Sequence, residues 1–121
     1  MKKITSKIKK IIEGYPLALA TIKNGKPYVI VLTCYKAIDG NKILFCDTYI
    51  KKTLENIKKN NNIVMVGWSK DYEGYQFFGK ARYFKKGKWF KLCKKLKKKK
   101  ELPCKGAILV EVNKIVKSKN K

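Results

Sequence analysis

Histidine is absent from this chain of 121 residues, and only eight residues are acidic. These absences exclude a zinc site that depends on imidazole ligands and a nucleophile activated by histidine. The acidic residues are dispersed along the sequence, so that no pair of carboxylates stands out for acid–base catalysis. We therefore expect any catalytic chemistry to come from a bound cofactor.

Long apolar runs are also missing from the sequence. No segment approaches the roughly 18 apolar residues of a membrane-spanning helix, and the lysine-rich start has no apolar stretch of signal-peptide length. We expect a soluble, cytoplasmic protein without a membrane partner. The four cysteines show no CxxC spacing, and in a chain without export signals we expect reduced, inert thiols. They are Cys34, Cys46, Cys93 and Cys104.

The positive charge of the chain is large but comes almost entirely from lysine. The formal net charge is +23, and Arg82 is the only arginine. Clustered cations are typical of proteins that bind nucleic acid, but base recognition relies on the arginine fork, which lysine lacks. We favour a solvated lysine-rich surface and keep a nucleic-acid-binding module with residues 85–100 as its basic face as the alternative. Its stacking side chains would be Tyr72, Tyr75, Phe77 and Phe78.

Hydrophobic periodicity predicts one domain, residues 1–121, in which strands alternate with helices. Asn24-Gly25 is a strong two-residue hairpin signal between two β-branched segments. Strands are predicted over residues 17–23, 27–35, 42–47, 63–68, 74–84 and 106–112, with a frayed tail after them. Helices are predicted over residues 2–13, 48–60 and 86–100. This order predicts a mainly β fold, a six-stranded antiparallel barrel that starts with a three-stranded meander and has an N-terminal helix and two covering helices.

The junction between the third predicted strand and its helix suggests a site for an anion. Lys51, Lys52 and Thr53 fall in the first turn of that helix, where unpaired N–H groups and the helix dipole attract negative charge. Their ammonium and hydroxyl groups would add hydrogen bonds to a phosphate. The ordinary alternative is a helix capped by Thr48 whose lysines are solvated. The pattern alone leaves both interpretations open.

The order of motifs from Pro16 to Phe84 resembles the pyridoxamine 5'-phosphate oxidase-like family of FMN-binding split β-barrels. The resemblance spans more than half of the chain and rests on the order and spacing of five pieces rather than on one of them. In one-letter code these are PLALAT (16–21), VIVLT (29–33), LFCDTYIKKTLENI (44–57), NNNIVMVGW (60–68) and GYQFFGKAR (74–82).

The resemblance implies FMN in a groove between two protomers, with its phosphate held by Lys51, Lys52 and Thr53. Trp68 and Gln76 would reach the cofactor from the partner chain. The flavin ring would lie along two further groups of residues from the second strand and the end of the third. These are Val31, Leu32 and Thr33, and Cys46, Asp47 and Thr48.

The resemblance also bears on the reaction. The arginine- and histidine-bearing final segment of the family's eponymous enzyme has no counterpart here, so oxidation of pyridoxamine phosphate is not expected. A redox role remains, either electron transfer or reduction of an unidentified small molecule, with the redox partner open. A related split barrel that uses a deazaflavin or haem is a further alternative. A homodimer is expected on geometric grounds too, because so small a barrel encloses no cavity for a flavin.

Overall fold

Seven strands and three helices make up the described part of the chain, which in this computed structural model is residues 3–38, 40–48, 50–96 and 103–118. The helices are α1 (Ser6–Gly14), α2 (Lys51–Lys59) and α3 (Lys88–Leu96). The strands are β1 (Leu17–Lys23), β2 (Lys26–Val31), β3 (Tyr35–Ile38), β4 (Lys42–Cys46), β5 (Asn62–Trp68), β6 (Gly74–Phe84) and β7 (Ala107–Ser118).

All strand pairs are antiparallel, in the order β2-β1-β5-β6-β7-β4-β3. Alternate side chains of the strands point inward, and the largest of them, Phe45 and Phe77, are completely buried. The predicted apolar stripe of α1 is confirmed, since Ile8, Ile11 and Ile12 are buried against the sheet. The predicted fold class, a mainly antiparallel β protein with three helices, is confirmed.

The second predicted strand, residues 27–35, is wrong as a single strand. β2 pairs with β1, and β3 pairs with β4, at opposite edges of the sheet. Between them the chain leaves one edge and crosses to the other at residues 32–34. The apolar run continues through this crossing, so its periodicity gives no sign of a break. The sheet therefore has seven strands rather than six, and the three-stranded meander is wrong.

Several predicted boundaries also differ from the structure, and α1 begins at Ser6 rather than at residue 2. β7 continues to Ser118 and pairs along the first half of β6, so the expected frayed tail is instead the end of a central strand. α2 begins at Lys51 rather than near Thr48, and its N-cap Ile50 makes no side-chain hydrogen bond. α3 begins at Lys88, two residues later than predicted. Residues 97–100 of the third predicted helix lie outside the described residues.

Gly79 is required where β6 and β7 approach most closely. It adjoins a shift of register after Phe78, and a Cβ atom there would overlap the carbonyl oxygen of Glu111. Both strands are central in the sheet, so neither backbone can withdraw. We expect Gly79→Ala to lower the free energy of unfolding by about 2–3 kcal/mol, measured by chemical denaturation.

The matched control for this prediction is Gly14→Ala. A Cβ atom at Gly14 would meet no atom within 4 Å. Its substitution should change the free energy of unfolding by no more than about 1 kcal/mol. Equal stability of the Gly79 and Gly14 variants would contradict the close approach of the two strands.

Candidate functional site

A cleft of about 570 Å³ lies between α2 and the ends of β4 and β6. We call it the lysine cleft, because four of the seven residues that line it are lysines. On α2, Lys51, Leu54 and Lys58 share one face, since they are three and four residues apart. The residues of the lysine cleft are Asp47, Lys51, Leu54, Lys58, Tyr83, Lys85 and Lys105.

The electrostatics of the lysine cleft favour an anion. Its only carboxylate, Asp47, is 3% exposed and accepts a hydrogen bond from the Tyr83 hydroxyl at 2.8 Å. Burial, and then that bond to Asp47, raise the pKa of Tyr83 well above its usual value, so the hydroxyl stays protonated as a donor. With four ammonium groups and one carboxylate, the lining carries a formal charge of +3.

Backbone pairing brings the far end of the chain to this cleft. Asp47 N–H donates to the carbonyl of Gly106 at 3.0 Å, and Lys105 N–H donates to the carbonyl of Asp47 at 3.0 Å. These two bonds extend the pairing of β4 with β7 by one step and place Lys105 beside Asp47. The sequence pattern did not predict Lys58, Lys85 or Lys105 as residues of the anion site. In a chain so rich in lysine, no local signal distinguishes them.

The three residues predicted to hold a phosphate point in different directions on α2. Lys51 lines the lysine cleft, whereas Lys52 is exposed and does not line it. Thr53 is 1% exposed, because its side of α2 packs against β1. On the same side, Asn56 Nδ2 donates to Thr21 Oγ1 at 3.0 Å. In the single chain, only Lys51 of the three therefore lies in the cleft.

Val31, Leu32 and Thr33 line a second cleft, of about 390 Å³, between the end of α1 and Leu96 of α3. We call it the Val31–Thr33 cleft. The other residues predicted beside the flavin, Cys46, Asp47 and Thr48, are buried at 3%, 3% and 7% exposure.

The two clefts are neighbours at one end of the β3–β4 pair. Cys46 N–H donates to the carbonyl of Cys34 at 2.9 Å, so these two residues pair across the strands. Thr33 precedes Cys34 and lines the Val31–Thr33 cleft, and Asp47 follows Cys46 and lines the lysine cleft. The two clefts therefore open on adjacent residues of this end of the sheet.

The outer face of β2, β1, β5 and β6 is apolar. Val29 and Val31 on the edge strand β2 are 62% and 64% exposed. Two rows of side chains cross this face, which we call the apolar sheet face. The first row is Val31, Ala18, Val66 and Gln76, and the second is Val29, Ala20, Val64 and Phe78.

Trp68 and Gln76, predicted to reach the cofactor of the partner chain, both lie on this face. Trp68 is 39% exposed, and Gln76 is exposed in the same row as Val31. Three strand spacings separate Val31 from Gln76, which is about 14 Å across the sheet. Within one chain, Gln76 therefore does not converge on the Val31–Thr33 cleft.

The described residues form neither a metal-binding group nor a membrane-spanning helix. Among the residues that the structure describes, no three histidine, cysteine or acidic side chains are grouped so as to hold a metal ion. The described helices are also too short or too polar for any of them to cross a membrane.

Solved structures of other proteins have the same fold as this chain. HupZ of Group A Streptococcus superimposes with a TM-score of 0.86 at 22% identity, covering 94% of this chain and 93% of HupZ. An FMN-binding protein of Syntrophomonas wolfei superimposes with a TM-score of 0.83 at 18% identity, covering 93% of this chain and 84% of that protein. At these identities the likeness shows the fold, a split β-barrel.

Sequence comparison extends the likeness from fold to family. An uncharacterized protein of Methanocaldococcus jannaschii is 30% identical over 118 residues, which cover 93% of this chain and 79% of that relative. Residues 4–117 match the family model described as pyridoxamine 5'-phosphate oxidase. That match takes in both clefts and the apolar sheet face. The chain therefore belongs to the pyridoxamine 5'-phosphate oxidase family.

Proposed function

We propose that this protein binds FMN at the interface of a homodimer and uses it for redox chemistry, either electron transfer or reduction of a small molecule. The observation that carries the proposal is the lysine cleft, where four lysines and a helix start meet at the end of β4. The membership of the family and the shared fold with an FMN-binding protein of Syntrophomonas wolfei support flavin as the ligand.

The lysine cleft suits the phosphate of FMN. Lys51 stands in the first turn of α2, where the helix dipole favours an anion. That first turn has no acidic residue, and the N-cap Ile50 offers no side chain to the N–H groups. The carboxylate of Asp47 is engaged by Tyr83. An anionic ligand therefore meets little competition from acidic or capping side chains for the start of α2.

The flavin ring is proposed to lie in the Val31–Thr33 cleft. Leu32 is buried beneath it and Val31 is exposed, so the cleft offers apolar contact, while the Thr33 hydroxyl and nearby backbone offer hydrogen bonds. The bound flavin would supply transfer of electrons or hydride. Val31 and Leu32 would exclude water from one face of the ring, and Thr33 would orient its polar edge.

A second copy of the chain is the proposed cover of the apolar sheet face. Val29 and Val31 expose more than half of their surface to water, and burying such side chains stabilises association. Val31 belongs both to this face and to the Val31–Thr33 cleft, so covering the face also closes that cleft. Trp68 and Gln76 of one protomer would then approach the flavin of the other.

Reconstitution with FMN tests the proposal. After incubation with FMN and desalting, the protein should keep a stoichiometric amount of the yellow flavin. Riboflavin lacks the phosphate, so it should bind about 10- to 100-fold more weakly in a fluorescence titration. A protein that stays colourless would contradict flavin binding. Equal affinity for the two flavins would contradict the phosphate site alone.

Nucleic-acid binding is the second candidate function, and the structure changes its residues. Tyr75 and Phe77 are 4% and 0% exposed, so neither is available to stack on bases. Tyr72 is 77% exposed and remains available. A second basic aromatic surface lies on α3, where Lys88 Nζ lies 4.6 Å from the centre of the Trp89 ring. Binding of a single-stranded oligonucleotide that persists at about 150 mM salt would support this function, and its loss at that salt would exclude it.

A further inference from the structure

The fold brings all four cysteines of the chain together. Cys34 precedes β3, Cys46 ends β4, Cys93 is on α3 and Cys104 precedes β7. Their side chains share one apolar cluster beneath α3, which we call the cysteine cluster. The Sγ atoms of Cys34 and Cys46 lie 2.8 Å apart, and the Cys46 thiol also contacts the carbonyl of Cys93 at 3.4 Å. Sequence spacing indicated inert thiols because it shows no such contact.

Cys34 and Cys46 have the geometry of a cross-strand disulfide. They lie opposite each other where β3 begins and β4 ends, joined by the backbone bond from Cys46 N–H to the carbonyl of Cys34 at 2.9 Å. Cα atoms of directly opposed residues in antiparallel pairs are about 4.5–5.5 Å apart, which lies inside the range of about 4.4–6.8 Å for disulfides. The Sγ atoms need to approach by only about 0.8 Å to reach bonding distance.

We propose that Cys34 and Cys46 are a dithiol site that a small-molecule disulfide oxidises to an intramolecular disulfide. The two thiols lose two protons and two electrons, one S–S bond forms between them, and the S–S bond of the oxidant breaks to give two thiols. This redox centre is the chain's own and operates with or without flavin. Since the four thiols are not arranged to hold a metal ion, oxidation rather than ligation is the chemistry that this contact supports.

Cys104 is the entry point for the oxidant. Cys34 and Cys46 are 5% and 3% exposed, whereas Cys104 is only partly buried. Although contact with Cys34 lowers the pKa of Cys46, contact with Cys93 and burial raise it by more, so that pKa lies well above its usual value. Burial also raises the pKa of Cys104, so it is the greater exposure of Cys104 that makes it the first thiol an oxidant reaches.

The backbone keeps Cys104 close to Cys46. The Cys104 thiol donates to the carbonyl of Gly106 at 3.8 Å, and that carbonyl also accepts from Asp47, the residue after Cys46. The thiolate of Cys104 attacks the oxidant first and releases one thiol. Cys46 then displaces the second thiol, and Cys34 displaces Cys104, which returns to its thiol form. The disulfide is left between Cys34 and Cys46.

Peptide mapping of the wild-type protein tests the proposal directly. Trypsin places the four cysteines in four peptides, residues 24–36, 43–51, 92–94 and 101–105. The reduced protein would be treated with oxidised glutathione, alkylated in denaturant and digested. Peptide 24–36 linked to 43–51, with the other two cysteines alkylated, is the expected product, and reduction should restore four alkylated thiols. Four alkylated thiols after prolonged oxidation, or a final link through Cys93 or Cys104, would overturn the proposal.

Two variants test the route of oxidation. Cys104→Ala should give the same linked peptides but form them at least about tenfold more slowly, because the accessible thiol is lost. Cys93→Ala is the matched control and should not slow the reaction, because Cys93 takes no part in the exchange and its contact with Cys46 raises the pKa of that thiol. An unchanged rate in Cys104→Ala would exclude Cys104 as the entry point, while the mapping of the wild-type protein still decides the disulfide.

Discussion

Replacing Lys51 with alanine should weaken FMN binding by about 10- to 100-fold, whereas the same change at Lys52 should weaken it by less than about threefold. The two lysines are adjacent in α2, but only Lys51 lines the lysine cleft. A hydrogen bond from an ammonium group to a phosphate is among the stronger polar contacts in proteins. A solvated lysine on another face of the helix contributes only a screened, long-range attraction.

Riboflavin is the control ligand for this pair of variants. Because it has no phosphate, its affinity should be nearly the same for the wild type, Lys51→Ala and Lys52→Ala. Fluorescence titration of both flavins at one salt concentration measures all six affinities. Equal losses of FMN affinity in the two variants would place the phosphate at the start of α2 but outside the lysine cleft, as the sequence pattern alone suggests. If neither variant lost FMN affinity, the start of α2 would not be part of the FMN site.

A glutamate in place of Val29 should convert the dimer into a monomer. In the dimer the carboxylate would be buried on the apolar sheet face without a partner of opposite charge. Two-fold symmetry would bury one such carboxylate in each protomer. An uncompensated buried charge costs about 3–5 kcal/mol, so the dissociation constant of the dimer should rise by at least about 200-fold. Sedimentation or light scattering over a range of concentrations measures it.

Flavin retention should fall together with dimerisation in this variant. Val29 does not line the Val31–Thr33 cleft, so its substitution acts on the cofactor only through the interface. Val29→Thr keeps the shape without the charge and should remain largely dimeric. Ser6→Glu adds the same charge at the exposed start of α1, where a carboxylate suits the helix dipole, and should have no effect. A monomeric Val29→Glu protein that retains FMN at full affinity would contradict a site between protomers.

Local structure was predictable where neighbouring residues decide it. The Asn24-Gly25 turn has the expected positive φ angles of 49° and 76°, and β1 and β2 pair around it. β6 has the predicted limits, Gly74–Phe84. α1 buries the predicted isoleucine stripe. In each of these cases the side-chain period or the turn residues favour one conformation within a few residues.

The candidate site was predictable only in part. The sequence pattern predicted a phosphate-binding site at the start of α2, and Lys51 does line a cationic cleft there. Lys58, Lys85 and Lys105 join it from about two turns later in α2, from the end of β6 and from the segment before β7. Whether three such lysines meet depends on strand order and register, which local periodicity does not contain.

The sequence by itself determined the fold class, because alternation of apolar and polar residues marks each strand and helix locally. It also led to the expectation that catalytic chemistry comes from a cofactor, since the chain has no histidine and its carboxylates are dispersed. Only the tertiary structure decided that β2 and β3 lie at opposite edges of the sheet, and that Lys51 rather than Lys52 faces the cleft. It also decided that Cys34 meets Cys46. These contacts join elements that are distant in the sequence. The packing of the whole sheet stabilises them, so a local sequence pattern does not reveal them.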